Sequence, residues 1–135
     1  MPLHIYTDGA ARGNPGPAGI GIVIRNDDEV LLEVADYIGE TTNNVAEYMA
    51  FIRGLEEALD MGEKNITVFS DSELMVKQID GEYRVKNHGL LPLYNNALSL
   101  IKKFKHCELT YIPRTANKQA DKLANKGIDQ AKKKA

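Results

Sequence analysis

The spacing of apolar residues changes once along the chain, and this change limits the possible folds more than any other feature. Strand-like apolar spacing covers 3–8, 18–26 and 30–38, and turn-forming residues separate these stretches. The pattern predicts three β-strands in an antiparallel meander, because their short connections leave no room for a parallel crossover. From residue 41 the spacing becomes helical, and helical and strand-like segments alternate through the rest of the chain.

This order of segments predicts an α/β fold in one domain. Three strands followed by alternating helices and strands favour a five-stranded mixed sheet with helices on both faces. If the fourth strand pairs with the first, the strand order becomes 3-2-1-4-5 and only strand 2 is antiparallel to its neighbours. The later segments are predicted helices at 41–62, 73–79, 90–104 and 116–131, and predicted strands at 65–70 and 107–113.

The composition is typical of a globular domain. The chain has 135 residues, of which 43% are hydrophobic and 27% charged. We expect one domain over 1–130 and a basic tail at 131–135. No apolar run reaches the roughly 20 residues that a membrane span requires, so we expect no membrane association. The single cysteine, Cys107, cannot form an internal disulfide, which fits the reducing cytoplasm.

The net charge limits how the protein could bind nucleic acid. The formal charge is −2 and the pI is about 5.9. Proteins that bind nucleic acid without sequence preference are usually basic. Any nucleic-acid function must therefore depend on a local site rather than on the overall charge.

Four acidic residues on four predicted elements are the main candidates for such a site. Asp8 ends the first predicted strand and Asp71 follows the fourth. Parallel neighbouring strands lie about 4.8 Å apart, so these two carboxylates would meet at one edge of the sheet. Glu47 shares a helix face with small residues that allow close packing on the sheet, and Asp121 lies on the apolar face of the last helix. The topology therefore predicts one acidic cluster.

Such a cluster has a characteristic chemistry. Carboxylates within a few ångströms of one another raise one another's pKa, and divalent cations relieve the repulsion. Oxygen ligands favour hard ions, so we expect two Mg²⁺ ions, with Mn²⁺ as a possible substitute. Two such ions about 4 Å apart can clamp a phosphodiester, activate water and stabilise the departing oxygen.

Three of the four acids also have a purely structural explanation. Asp71 and Glu47 could each stand at the start of a helix, where a negative charge favours the helix dipole. Asp121 could form a surface ion pair with Lys118 or Lys122. All of these explanations would have to hold together for the cluster to have no function.

Four sequence segments carry a family resemblance. In chain order they read "YTDGAARGNPGPAGIG", "TTNNVAEYMA", "FSDSELMVKQI" and "ANKQADKLAN". They resemble the signature segments of the type 1 ribonuclease H family, and the resemblance covers about residues 3–130. It implies cleavage of the RNA strand of RNA–DNA hybrids with two Mg²⁺ ions, leaving 5′-phosphate and 3′-hydroxyl ends. It also implies that Asp8, Glu47, Asp71 and Asp121 are the four metal-binding acids.

The resemblance further implies a substrate surface beside the acids. The small residues after the first acid would lie under the RNA strand, where backbone groups contact 2′-hydroxyls, the feature that separates RNA from DNA. Turn formation and helix capping are the alternative roles for the asparagines. The implied contact positions are Gly9, Ala10, Asn14, Asn43, Asn44 and Glu73, the last being an acid where the family often has an amide.

The sequence departs from the family pattern in the loop before the last acid. Many members have a histidine there, whereas this chain has "IPRTAN". Arg114 is the nearest candidate for the histidine's role, through its charge near a phosphate rather than through proton transfer. A plain surface arginine is the alternative. The chain also lacks tryptophan and the basic helical extension of some members, and we expect no separate hybrid-binding domain.

The sequence is compatible with three candidate functions. The first is a monomeric endonuclease on RNA–DNA hybrids, with double-stranded RNA as a second candidate substrate. The second is a binding or accessory module with weak or no activity, which the acidic pI and the missing extension favour. The third is another class of phosphate-handling enzyme. The glycine-rich stretch lacks the GK[ST] ending of a P-loop, and the "TDG" lacks the second aspartate of the aspartate-dependent phosphatases.

Overall fold

The computed structural model describes residues 2–134, with the side chains of residues 2–131. Among the helices of this part of the chain, none combines the length and the hydropathy needed to cross a membrane. The elements in chain order are β1 (Leu3–Ala11), β2 (Gly16–Arg25), β3 (Val30–Thr41), α1 (Asn43–Asp60), β4 (Asn65–Ser70), α2 (Glu73–Ile79), α3 (Leu91–Ile101), β5 (His106–Tyr111), a 3₁₀ turn (Arg114–Ala116) and α4 (Lys118–Lys134).

The sheet has the predicted order and directions. Its strands lie in the order β3-β2-β1-β4-β5. Strand β2 is antiparallel to both neighbours, whereas β4 is parallel to β1 and to β5. The predicted five-stranded mixed sheet is therefore confirmed, and the ends of β1 and β4 face the same edge.

The first strand is longer than predicted, which corrects the position of the first acid. Pairing of β1 with β4 ends at Thr7 and Ser70, but pairing with β2 continues through Asp8 to Ala11. Asp8 therefore lies inside β1, at the point where its other neighbour has ended. Residues 9–11 are small and weakly strand-forming, but the facing strand β2 completes their ladder and overrides their local preference.

Helix α1 covers one face of the sheet at close range. It begins after Thr42, whose side chain accepts a hydrogen bond from the Val45 N–H. An added Cβ on Gly54 would lie 3.1 Å from a methyl carbon of Ile5, so the helix and the sheet are in direct contact. The core lies between α1 and the sheet and includes Ile5, Ile22, Ile24, Phe51, Leu55 and Val68.

Helix α4 covers the opposite face, so helices lie on both faces as predicted. Its backbone packs against Gly19 and Gly21 of β2. These glycines alternate along the strand with residues that face α1, as the pleat requires. The helix begins at Lys118 and continues to Lys134, beyond the predicted end at 131. The side chains of 132–134 and all of Ala135, which make up most of the predicted basic tail, lie outside the described residues.

The contact at Gly21 yields a prediction on stability. An added Cβ would lie 2.1 Å from the Ala120 carbonyl oxygen, so Gly21→Ala would push α4 away from the sheet. We expect the free energy of unfolding to fall by about 1–3 kcal/mol or more, as for other overpacked cores. Urea denaturation measures the change. Gly89→Ala is the control, because its nearest neighbour would be the flexible Asn87 side chain at 3.1 Å. Equal losses in the two variants would contradict this packing.

Candidate active site

Three of the four predicted acids meet at the edge of the sheet where β4 ends. Asp8 comes from inside β1, Asp71 directly follows β4, and Glu47 reaches over from α1. One carboxylate oxygen from each lies within 4.8 Å of the others. Asp8 and Glu47 are each only 4% exposed, whereas Asp71 is partly exposed. The cluster therefore has a buried inner side and an open outer side.

The fourth acid borders the same opening. Asp121 is on the first turn of α4 and is close enough to Asp8 to influence its carboxyl group. Its Oδ1 lies 3.8 Å from Nη2 of Arg114. The ion pair suggested as an alternative, with Lys118 or Lys122, is not the one formed, because Arg114 is the partner within the described side chains. The cavity beside the acids has a volume of about 280 Å³ and is also lined by Arg114.

Glu47 lies at the point where helix α1 contacts β1 most closely. Helix α1 begins at Asn43 and has no acid in its first turn, so the helix-start explanation for Glu47 is wrong. Its Oε1 accepts a hydrogen bond from the Gly9 N–H at 2.6 Å. A Cβ on Gly9 would lie 2.2 Å from the Ala46 carbonyl carbon, so only glycine allows α1 to approach this closely.

This contact corrects one expectation about the substrate surface. The small size of Gly9 was expected to make room for an RNA strand, but the space is taken by α1. The Gly9 N–H is already bonded to Glu47 and is not free for a 2′-hydroxyl. Gly9 and Ala10 both line the opening, and Ala10 is partly exposed, so a contact of either residue with substrate stays a prediction.

One of the three predicted asparagine contacts lines the cavity, and a second is bonded to its main chain. Asn14, Asn43 and Asn44 are all exposed, and Asn43 lines the cavity. The Asn14 Oδ1 accepts a hydrogen bond from the Asn43 N–H at 3.1 Å, which ties the β1–β2 connection to the start of α1. Glu73 lies apart from the cavity and pairs with Lys77 at 3.0 Å on α2.

Electrostatics within the cluster favour a bound cation. Burial, reinforced by the negative charges of Glu47 and Asp71, raises the pKa of Asp8 to about 10. Burial also raises the pKa of Glu47 to about 8, although the Gly9 hydrogen bond opposes the shift. Without a cation, the cluster therefore retains protons at neutral pH. Its donors are carboxylate oxygens at short mutual distances, and this donor set fits a hard divalent ion.

Tyr111 and Asn117 are at the site but were not singled out from the sequence. Tyr111, the last residue of β5, lines the cavity and is 47% exposed. Asn117 is 1% exposed and donates a hydrogen bond to Asp71. Both stand in polar or mixed segments, and only the tertiary fold brings them to the acids. The spacing of Asn117 four residues before Asp121 is the one sequence signal that could have indicated it.

Comparisons with known proteins place the chain in a family. A family model described as reverse transcriptase-like matches residues 6–127. Ribonuclease HI of Halobacterium salinarum is 41% identical over 130 residues, which cover 96% of this chain and 65% of that protein. The crystal structure of RNase H1 from the same organism has a TM-score of 0.93. The chain belongs to the ribonuclease H family.

Two further ribonuclease H relatives extend the comparison. The bifunctional protein Rv2228c of Mycobacterium tuberculosis is 43% identical over 137 residues, which cover 100% of this chain and 38% of that protein. The chain thus spans well under half of that relative's length. The crystal structure of LC11-RNase H1 in complex with an RNA/DNA hybrid has 45% identity and a TM-score of 0.90, and the match covers 96% of this chain and 98% of that one.

The raised pKa of Asp8 predicts how stability depends on pH. Between its ordinary pKa of 3.8 and about 10, the folded state binds more protons at Asp8 than the unfolded chain does. The contribution of Asp8 to stability therefore falls as pH rises through this range. In EDTA, we expect Asp8→Asn to stabilise the protein relative to wild type, by a margin that grows between pH 7 and pH 9. Thermal unfolding measures this margin.

Two controls accompany this measurement. Asp28→Asn removes an exposed carboxylate in the β2–β3 turn and should keep the wild-type pH dependence. Addition of Mn²⁺ should raise the melting temperature of wild type more than that of Asp8→Asn. A margin that stays constant with pH would show that burial and the neighbouring charges do not raise the pKa of Asp8.

Proposed function

We propose that this chain is an endonuclease that hydrolyses the RNA strand of RNA–DNA hybrids and leaves 5′-phosphate and 3′-hydroxyl ends. The observation that carries the proposal is the convergence of the Asp8, Glu47 and Asp71 carboxylates within 4.8 Å, with Asp121 beside them. Membership of the ribonuclease H family supports it. So does the hybrid found in the complex of LC11-RNase H1, a protein of 45% identity.

The four acids would hold two Mg²⁺ ions, with Mn²⁺ as a substitute. When bound, such ions activate a water molecule and stabilise the departing oxygen of a phosphodiester. The buried carboxylates of Asp8 and Glu47 form the fixed inner side of the site, and the Gly9 N–H holds Glu47 in place. Asp71 and Asp121 lie nearer the solvent, where a phosphate can approach.

Three asparagines and Ala10 would orient the hybrid. Asn14, Asn43 and Asn44 present uncharged amides, which can contact sugars and base edges without competing with the cations. Ala10 lines the cavity and leaves room for a backbone to approach. Contact with the 2′-hydroxyl would distinguish the RNA strand from DNA. Glu73 lies outside the cavity, and we assign it at most a peripheral contact.

Arg114 would assist at the mouth of the site. Its side chain is 83% exposed and lies 3.8 Å from Asp121, so it can turn between that carboxylate and a phosphate. A guanidinium binds phosphate oxygens through charged hydrogen bonds but does not transfer protons at neutral pH. Arg114 would therefore stabilise the scissile phosphate and release Asp121 as it does so.

Three finer expectations stay predictions. They are activity on double-stranded RNA, a monomeric state and location in the cytoplasm.

Cys107 is partly buried against the core, and burial raises the pKa of its thiol to about 11. A protonated, packed thiol fits a structural role better than a reactive one.

The central experiment is cleavage of a labelled RNA–DNA hybrid with Mg²⁺ or Mn²⁺. We expect Asp71→Asn to lower kcat at least about 100-fold, because metal stabilisation of a phosphodiester transition state is worth several kcal/mol. Asp60→Asn is the matched control, since this exposed aspartate lies at the far end of α1. Hybrid binding without turnover would favour the accessory module, and cleavage that survives Asp71→Asn would contradict the site. Parallel reactions with double-stranded RNA test the second substrate.

Arg114 has a separate test. We expect Arg114→Ala to lower kcat about tenfold, because a hydrogen bond to a charged group is worth about 1.5–3 kcal/mol. Arg114→Lys keeps the charge and should recover most of the activity, and neither variant should change the pH profile. Steady-state kinetics on the hybrid measure these effects. An unchanged kcat in Arg114→Ala would leave the arginine as a surface residue.

A further inference from the structure

One buried asparagine connects three of the elements that carry the acids. Asn117 lies between the 3₁₀ turn and α4 and is 1% exposed. Its Nδ2 donates to the Thr7 carbonyl oxygen at 2.9 Å and to Oδ2 of Asp71 at 3.0 Å. The main-chain carbonyl oxygen of Asn117 accepts the Asp121 N–H at 3.1 Å. Asn117 thus contacts the residue before Asp8, the side chain of Asp71 and the helical turn of Asp121.

The chemistry of the two acceptors fixes the direction of the amide. A main-chain carbonyl and an ionised carboxylate can only accept hydrogen bonds, so the NH₂ end of Asn117 faces both of them. Both side-chain donors are then in use. The bond to Oδ2 holds the carboxylate of Asp71 in one orientation relative to β1.

An amide has an advantage over a charged donor at this position. A lysine or arginine would neutralise Asp71 and compete with a cation for its oxygens, whereas an amide orients the carboxylate and leaves its charge intact. Groups that orient metal-binding side chains in this way set the metal affinity of many sites.

The other end of the same amide shows that Asn117 is not an ordinary packing residue. Among the described side chains, its Oδ1 is the buried polar atom that has no hydrogen-bond partner. Burying an unpaired acceptor costs free energy, which an apolar residue of similar volume would avoid. The two donors of Asn117 therefore account for its presence better than packing does.

We infer that Asn117 is a positioning residue, which orients Asp71 for divalent cations and fixes the start of α4 so that Asp121 faces the same site. The inference deepens the proposed function and rests on it, because it assumes that these acids bind cations. It predicts that loss of the amide weakens metal binding, even though Asn117 itself is not a ligand.

The first test uses Mn²⁺ alone, without nucleic acid. We expect Asn117→Ala to bind Mn²⁺ roughly tenfold more weakly than wild type, as is typical when a residue behind a metal ligand is removed. Electron paramagnetic resonance of free Mn²⁺ gives the affinity, and the rise in melting temperature at a fixed Mn²⁺ concentration gives a second reading. Tyr48→Phe is the matched control, because it removes a different buried hydrogen bond, to Gln78 at 2.7 Å. It should lose stability but keep the wild-type affinity for Mn²⁺.

The second test is kinetic. Asn117→Ala should raise the Mn²⁺ concentration for half-maximal cleavage and leave the KM for the hybrid unchanged, a split that a general loss of stability would not produce. Asn117→Ser replaces the amide with one shorter donor and is measured as well, so that the inference stays testable if the alanine variant does not fold. Wild-type Mn²⁺ affinity in whichever of these variants folds would overturn the inference.

The outcomes for the inference and for the proposed function are distinct. If wild type cleaves hybrids and Mn²⁺ binding does not depend on Asn117, only the inference fails. If Mn²⁺ binding depends on Asn117 but wild type does not cleave hybrids, only the proposed function fails. If wild type does not bind Mn²⁺, both are wrong.

Discussion

Repulsion between carboxylates buried at one edge of the sheet is the interaction around which the rest of the site is arranged. Asp8 and Glu47 are almost fully buried, and Asp71 lies within reach of both. A cluster of this kind cannot form from local sequence alone, because each member would otherwise turn towards water. The fold holds it with uncharged donors, the Gly9 N–H on Glu47 and the Asn117 amide on Asp71, which orient the acids and leave their charge for a cation.

Close backbone contacts supply the rigidity that this arrangement needs. Helix α1 reaches the sheet at Gly9 and Gly54, and α4 reaches the opposite face at Gly19 and Gly21. At Gly9, Gly19 and Gly21 an added Cβ would lie 2.1–2.3 Å from a backbone atom of the helix, so the helix would have to move away from the sheet. The parallel pairing of β1 and β4 then sets the separation of Asp8 and Asp71. The glycines and the central strand pair therefore act together to place acids from separate elements at one point.

Much of this arrangement was predictable because strong local patterns agree with the tertiary structure. Strand β4 and helix α2 have their predicted bounds, Asn65–Ser70 and Glu73–Ile79. The sheet order followed from the short connections and the change of period at residue 41, together with the assumption that strand 4 pairs with strand 1. The extension of β1 past Asp8 was not predictable, because its small residues pair only when β2 is already in place. The burial of Asn117 could not be predicted for a similar reason, since it lies in a polar segment that becomes buried only in the tertiary structure.

The most direct measurement of the central claim is the anomalous diffraction of Mn²⁺ in a crystal of the wild-type protein. The account predicts anomalous density between the carboxylates of Asp8, Glu47 and Asp71, which the same soak of an Asp8→Asn crystal should lose or weaken. Anomalous density confined to other parts of the surface, with the three carboxylates turned away from one another, would contradict it.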